Sequence, residues 1–244
     1  MAKKPRSRKT AAKAPSLPGP LRIMRALRRF VLWCVLVAVV SAGIAALVHR
    51  YLAPGPTYYM RQEAQRLGGV DREWVALDKV APVMARAVVA AEDANFCTHW
   101  GFDMGAIRSV IEEGGGRGAS TLSQQTVKNV YLWHGRSWVR KALEALMTPL
   151  VESIWPKRRI VEVYLNIAEF DEGIFGVDAA ARHYFGVGPE ALSALQAARL
   201  AAVLPDPKGR SASKPTNWMR KRTAAIMDGA ATIRRDGRAA CFED

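Results

Sequence analysis

The chain has 244 residues, a formal net charge of +14 and a half-hydrophobic composition, enough for one good-sized domain and an appendage. Residues 1–29 carry ten Lys or Arg and no acidic residue, which leaves a net charge of +4 for the rest of the chain. A near-balanced body with a basic tail is unlike a nucleic-acid-binding domain, whose basic residues lie on the folded surface. The charge distribution therefore argues against nucleic acid as a partner.

An uncharged apolar segment, FVLWCVLVAVVSAGIAALV at residues 30–48, follows the tail. Nineteen helical residues span about 29 Å, which matches a hydrocarbon core of about 30 Å. The alternative is a cleaved signal peptide. However, the run exceeds the usual ~7–15 apolar residues, and its small-residue cleavage candidate, Ser41-Ala42-Gly43, lies inside it. The positive charges before the span predict a cytoplasmic N-terminus and a single-pass anchor, with residues 50–244 outside.

The three cysteines leave two alternatives open. Cys34 lies in the apolar span, whereas Cys97 and Cys241 would both face an oxidising compartment and could be either a disulfide or two free thiols. No Cys/His spacing resembles a zinc site, so we expect no structural metal.

The first periodic segment of the body begins at Val80 and repeats apolar residues at the i, i+3, i+4, i+7 spacing of an amphipathic helix. Glu92 follows Val88 by four residues and therefore prolongs the apolar face. An acid at a helix end is ordinarily a solvated surface charge, but the helix dipole disfavours it at a C-terminus. We interpret Glu92 as a carboxylate held at a functional site. We expect Asp93 either to orient Glu92 or to cap local backbone.

A second cluster of polar residues follows the segment EEGGGRG, Glu112–Gly118, which predicts a mobile loop. A helix is predicted to begin at Ser120 or Thr121, because Thr121 and Gln124 have the spacing of a capping box. Its polar side chains form i, i+4 pairs, namely Gln124 with Lys128 and Gln125 with Asn129. Such stripes are usually solvated. The position of this one, between a loop and an apolar helix, favours a surface that faces a ligand.

The clearest helical period in the chain covers Trp138–Trp155. Arg140 falls within its apolar arc and Glu144 on the edge, which suits either an ordinary ion pair or a second site carboxylate beside a cation. Pro149 is expected to kink or split this helix. Further helices are predicted at Lys157–Phe170, near Leu192–Leu204 and at about Trp218–Arg234. With no run of alternating strands, the body is predicted to be mainly α-helical.

Five segments in this order resemble the family-51 glycosyltransferases, which polymerise peptidoglycan glycan strands. They are EDANFCTHWG (Glu92–Gly101), GASTLSQQTVKN (Gly118–Asn129), RKALE (Arg140–Glu144), KRRIVEVYLN from Lys157, and ARLAAVLPDP (Ala198–Pro207). The resemblance implies a lysozyme-like α-helical domain, a membrane anchor and lipid II as substrate. Because the chain ends soon after the last motif, we expect the monofunctional biosynthetic transglycosylase type, without a transpeptidase domain.

The implied reaction transfers a growing strand from undecaprenyl pyrophosphate to the GlcNAc 4-hydroxyl of lipid II and inverts the anomeric centre. Such a step needs a base and a stabilised leaving group. We expect Glu92 to be the base and Glu144 to be the second catalytic carboxylate. No cofactor is expected to be required, although a divalent cation on the pyrophosphate is compatible with the family. The expected substrate-binding residues are Asp93, His99, Ser120, Thr121, Gln124, Gln125, Lys128, Asn129, Arg140 and Lys141.

The predicted organisation is a cytoplasmic tail (1–29), a transmembrane helix (30–48), a juxtamembrane segment (49–75) and a periplasmic glycosyltransferase domain (76–244) at a bacterial inner membrane. Expected partners are lipid II, the glycan strand, the membrane, and proteins of cell-wall synthesis or division. Two other functions remain open. A lytic enzyme of the same broad fold would not need the amide-and-cation stripe, and a catalytically silent scaffold would tolerate loss of both glutamates.

Overall fold

The computed structural model of the chain describes residues 19–114 and 118–243. Most of the basic tail, up to residue 18, and residues 115–117 of the predicted loop lie outside the described residues. The chain divides into two compact units, Met1–Ala42 and Gly43–Asp244.

The first long helix, α1 (Pro20–Tyr51), contains the whole of the apolar segment 30–48. Within the described residues, Arg22–Tyr51 is the helix that is long and apolar enough to cross a membrane, with a mean hydropathy of 2.7 over an 18-residue stretch. A signal sequence near an N-terminus meets the same criteria of length and composition. The helix is therefore weak evidence for an anchor.

The second unit is built mainly of helices. In chain order they are α2 (Tyr58–Leu67), α3 (Pro82–Glu92), α4 (Met104–Glu112), α5 (Leu122–Tyr131), α6 (Trp138–Ile154), α7 (Lys157–Ile167), α8 (Val177–Phe185), α9 (Ala194–Val203), α10 (Asn217–Arg235) and α11 (Ala240–Glu243). The periodic segments of the sequence thus form helices, within a few residues of the predicted bounds.

Side-chain caps define where several of these helices begin. Thr57, Thr121 and Ser193 each form a capping box at the N-terminus of α2, α5 and α9. Ser137 caps α6 and Thr216 caps α10 through a hydroxyl that accepts a backbone N–H. The predicted capping box of Thr121 with Gln124 is therefore confirmed.

The core has two adjoining parts, and together they position the helix ends that carry the candidate site. Helix α3 packs against α9 and α10, and α5 packs against α6 and α7. Their apolar side chains belong to one continuous cluster, in which Met84, Val88, Leu122, Val151 and Ile160 are fully buried. The C-terminus of α3 and the N-terminus of α5, which carry the two polar clusters of the sequence, are thereby held by the same core.

A small three-stranded sheet was not predicted. It has the order β1 (Asp71–Arg72), β3 (Ile174–Phe175), β2 (Glu169–Asp171), with β1 parallel and β2 antiparallel to β3. Strands of two or three residues are too short to show an alternating pattern. Gly176, the residue after β3, has a φ of 86°. A Cβ atom at this position would lie 3.1 Å from the carbonyl oxygen of Asn166.

Two further expectations are decided by the structure. Pro149 does not split α6, which runs unbroken from Trp138 to Ile154, because packing against α5 outweighs the loss of one backbone hydrogen bond. Cys97 and Cys241 form a disulfide with a Cα–Cα distance of 5.7 Å across a separation of 144 residues.

Candidate active site

Glu92 is the last residue of α3, and its partner comes from α5. The Nε2 of Gln125 donates to Glu92 Oε2 at 3.0 Å. The hydroxyl of Tyr164, on α7, donates to Gln125 Oε1 at 3.3 Å and so fixes which way the amide points. Three helices therefore meet at this carboxylate, and the two polar clusters of the sequence are in direct contact.

The surroundings of Glu92 raise its pKa above the ordinary glutamate value. Burial is the largest cause, and the negative charge of Asp93 adds to it. The hydrogen bond from Gln125 and the positive charges of Arg222 and Lys128 act in the opposite direction. A carboxylate whose proton affinity lies nearer to neutrality is a better general base than an exposed one.

Asp93 is buried and makes two contacts that hold the backbone. Its Oδ1 lies 2.8 Å from His99 Nε2, and its Oδ2 accepts the N–H of Leu122 at 2.9 Å. The backbone group that Asp93 caps is distant in sequence rather than local, so both expected roles, orienting Glu92 and capping local backbone, stay predictions. Asp93 therefore links the segment that follows Glu92 to the first turn of the helix that carries Gln125.

A cleft of about 230 Å³ opens beside Glu92. Its walls include Asn95 and Asp103 on one side and Ser120 and Thr121 on the other. The carboxylate thus borders a space large enough for part of a sugar.

Glu144 is the centre of a buried ionic cluster. It is 2% exposed, and it accepts hydrogen bonds from Arg140 at 2.7 Å and from Lys141 at 2.5 Å. Lys141 also donates to the hydroxyl of Ser120 at 3.0 Å, which joins α6 to the start of α5. This arrangement differs from an ordinary surface ion pair, because the negative charge of a buried carboxylate must be balanced by its partners. Here one carboxylate fixes the positions of two cations.

A larger cavity of about 350 Å³ lies on the other side of Gln125. Of the four residues in the predicted stripe, Gln125, Lys128 and Asn129 line it and Gln124 does not. Burial lowers the pKa of Lys128, Glu144 opposes this, and the neighbouring cations Arg140 and Lys141 reinforce it. Asn129 Oδ1 is buried without a hydrogen-bond partner, which indicates an acceptor waiting for a ligand or water.

Residues not singled out in the sequence complete this cavity. Tyr59, on α2, stacks on His134 with ring centroids 3.9 Å apart, and burial lowers the pKa of His134 to about 4. Lys208 lies in the same wall and pairs with Glu63 at 2.9 Å. Tyr164 and Lys208 lie within or next to motifs that were recognised, whereas no sequence signal marked Tyr59 or His134.

Some predicted substrate-binding residues are instead engaged within the protein. Gln124 is buried, and its side-chain oxygen accepts the N–H of Thr121 at 3.1 Å. The Thr121 hydroxyl donates to the carbonyl of Gly101 at 2.7 Å, although Thr121 also lines the cleft. His99 lies against Asp93. Gln124 and Thr121 thus bond backbone groups and His99 bonds a side chain, and substrate contact by all three stays a prediction.

The side chains present do not fit a protein-held divalent cation. Among residues 19–114 and 118–243, no group of three His, Cys, Asp or Glu side chains is arranged to hold a metal. Glu144 already accepts from Arg140 and Lys141, which compete with any cation for its oxygens. The positive charge near the two cavities comes from side chains.

Comparison with known proteins identifies the family to which the chain belongs. The sequence model of the family described as transglycosylase matches residues 60–231. The biosynthetic peptidoglycan transglycosylase of Jannaschia sp. (strain CCS1) is 62% identical over 192 residues, which cover 78% of this chain and 80% of that protein. Relatives with the same name from Rhodospirillum centenum and Caulobacter vibrioides are 49% and 45% identical, over 85% and 90% of this chain and 94% and 97% of those proteins.

The predicted fold class is confirmed, because the second unit is a mainly α-helical, lysozyme-like transglycosylase domain. The family also makes the chain a glycosyltransferase of peptidoglycan synthesis. The match includes all five motifs from which the resemblance was inferred, from Glu92 to Pro207. On these grounds the chain belongs to the transglycosylase family.

Proposed function

We propose that the protein polymerises lipid II into β-1,4-linked glycan strands by inverting displacement, with Glu92 as the general base. One observation carries the proposal: Gln125 joins the partly buried Glu92 to a cavity that contains Lys128 and an unpartnered acceptor on Asn129. A base is thereby placed beside a site that suits an anion, as the transfer of a sugar from a diphosphate requires.

In the proposed step, Glu92 takes the proton from the 4-hydroxyl of the acceptor sugar as that oxygen attacks the anomeric carbon of the donor. The bond from this carbon to the pyrophosphate oxygen breaks, and both electrons leave with undecaprenyl pyrophosphate. Attack from the face opposite the leaving group turns the α-linkage into a β-linkage. The cleft beside Glu92 is the side on which we place the acceptor.

The leaving diphosphate is proposed to lie against Lys128, Arg140 and Lys141. Three cations against Glu144 leave this cluster net positive, and the carboxylate holds two of them in fixed positions. Fixed charges stabilise a developing anion without having to reorganise during the reaction. Because these side chains supply the charge, we propose that no cofactor is required, and we derive no step through a divalent cation.

The direct test supplies labelled lipid II to the purified full-length protein and separates the products by length. Growth of glycan strands with release of undecaprenyl pyrophosphate is the expected result. A lytic enzyme would instead release soluble fragments from isolated peptidoglycan and leave lipid II unchanged. A silent scaffold would do neither.

The rate of polymerisation is expected to depend on pH in a bell shape. Glu92 must be ionised to act, and its raised pKa places the acid limb above the ordinary value of 4.5. Lys128 must be protonated, and its lowered pKa places the alkaline limb below 10.5. The check is kcat/KM measured across pH. An acid limb at or below the ordinary glutamate value would contradict the proposed base.

Helix α1 is proposed to anchor the enzyme in the bacterial inner membrane, with the N-terminus in the cytoplasm and the second unit in the periplasm. The charge asymmetry of the tail supports this orientation. Exposed apolar side chains, such as Leu52 at 62% and Trp138 at 90%, suit a domain that works against a lipid surface. A tethered enzyme would meet a membrane-bound substrate at high effective concentration. Proteins of cell-wall synthesis or division remain proposed partners.

A further inference from the structure

We propose that the Cys97–Cys241 disulfide is a positioning element for catalysis. It ties the C-terminal clamp, defined here as residues 236–243, to the catalytic loop, defined as residues 93–101, which follows Glu92 directly. Closing the bond in an oxidising compartment would therefore raise the activity of the enzyme. The inference rests on the proposed function, because it assumes that Glu92 and Gln125 are active-site groups.

The catalytic loop has a packed face toward the C-terminal clamp. Phe96 and Phe242 are both fully buried, with ring centroids 6.4 Å apart. Cys97 follows Phe96 and Cys241 precedes Phe242, so the disulfide lies directly beside this aromatic contact. The loop and the clamp are thus joined by both apolar packing and a covalent bond.

Polar contacts also join the clamp to the loop and to two neighbouring helices, α3 and α7. Arg238 donates to the carbonyl oxygen of Ala94 at 3.0 Å, two residues after Glu92. Glu243 pairs with Arg86, on α3, at 3.0 Å, and its backbone carbonyl accepts from Arg158 at 3.3 Å. The clamp therefore contacts the loop near its start and also the helix that carries Glu92.

The clamp has little means of holding itself in place. Its helix, α11, has four residues, too few to be stable alone, because helix nucleation is unfavourable. The contact from Arg238 to Ala94 is exposed to solvent, and such contacts contribute little. The segment is therefore secured by what it contacts: the disulfide, the burial of Ala239 and Phe242, and the partly buried Arg86–Glu243 pair.

A short path leads from the loop to the active site. His99, two residues after Cys97, holds Asp93 Oδ1 at 2.8 Å, and Asp93 Oδ2 accepts the N–H of Leu122 at the start of α5. Three residues further along α5, Gln125 donates to Glu92. A loop that moves away from its clamp would loosen both ends of the Glu92–Gln125 hydrogen bond, and displacements of about 1 Å can cost about 100-fold in rate.

The redox step is a simple thiol–disulfide exchange. A dithiol reductant donates two electrons and two protons, the Cys97–Cys241 bond becomes two thiols, and the reductant becomes a disulfide. Cys34 lies in α1 and is free, so it provides a control thiol that belongs to neither the loop nor the clamp.

The experiment compares full-length wild type, C97S/C241S and the control C34S, with labelled lipid II in detergent. We expect kcat/KM to fall by about 10–100-fold in C97S/C241S, mainly through kcat, and the acid limb of the pH profile to shift. Dithiothreitol should lower wild type and C34S to the same level, leave C97S/C241S unchanged, and act reversibly on reoxidation. Assays run well below the melting temperature of each variant separate this effect from unfolding.

Hydrogen exchange of residues 93–101 provides a readout that does not depend on the reaction. Reduction or C97S/C241S should increase exchange in this loop relative to α7. Unchanged exchange, or an unchanged kcat/KM and pH profile in both the reduced and the substituted protein, would overturn the inference. If Glu92→Gln keeps wild-type polymerisation while loop exchange still responds to reduction, the proposed function fails and the loop–clamp coupling stands.

Discussion

Glu92→Gln is expected to lower polymerisation of lipid II by about 100- to 10,000-fold, the usual contribution of a general base. The substitution keeps the size and the hydrogen-bonding oxygen of the side chain, so Gln125 can still donate to position 92. It removes the ability to accept a proton at neutral pH. The measurement is the rate at which labelled lipid II enters strands.

The same variant is expected to be at least as stable as wild type. A carboxyl group whose pKa is raised in the folded state lowers stability at pH values above its unfolded pKa, where the unfolded chain ionises it more readily. A neutral amide removes that cost, so the melting temperature at pH 7 should not fall.

Glu112→Gln is the matched control, because Glu112 is an exposed carboxylate at the end of α4 and should give wild-type rates and stability. If Glu92→Gln retained more than about a tenth of wild-type activity, the assigned role as base would be wrong, since a lost base costs at least about 100-fold.

Glu144→Gln is expected to lower both activity and stability. The amide no longer balances Arg140 and Lys141, which leaves a buried guanidinium without its counter-charge. We expect a loss on the order of 1–3 kcal/mol in the free energy of unfolding, less than for a fully buried pair because Lys141 can turn toward solvent. With the cations no longer fixed, kcat/KM for lipid II should fall by about 100- to 1,000-fold.

Asp178→Asn provides the comparison for Glu144. Asp178 is also buried and pairs with Arg182 four residues later on α8. Glu144, in contrast, holds Lys141, which bonds Ser120 in the wall of the cleft beside Glu92. Urea denaturation should show a loss of stability in both Glu144→Gln and Asp178→Asn. Kinetic assays should show a large loss of rate in Glu144→Gln and none in Asp178→Asn. Equal kcat/KM values would mean that Glu144 forms only a structural ion pair.

The helices were largely predictable because their signals are local. The apolar spacing from Val80 to Glu92 and the capping box of Thr121 with Gln124 each lie within a few turns of chain. The sheet was missed because its strands are too short to alternate. The split that was one of the two effects predicted for Pro149 does not occur, because it depends on packing against another helix, which the local pattern does not contain. The other effect, a kink, stays a prediction.

The two polar clusters of the site could be predicted from the sequence, but the relative positions of their side chains could not. An i, i+4 pattern does not reveal which of two adjacent polar stripes faces a ligand. In the structure both predicted pairs contribute to the cavity wall, Gln125 with Asn129 from one and Lys128 from the other, whereas Gln124 is used by Thr121. Tyr59 lies on α2, far in sequence from the recognised motifs, and only the folded structure shows that it lies at the cavity beside His134.

The most direct test of the central claim is a crystal structure of full-length Glu92→Gln with lipid II bound, since this variant should hold substrate without consuming it. We predict that the acceptor 4-hydroxyl lies about 2.6–3.2 Å from the side-chain oxygen at position 92, with the diphosphate oxygens against Lys128, Arg140 and Lys141. A diphosphate bound away from these cations, or an acceptor hydroxyl beyond reach of position 92, would contradict the account.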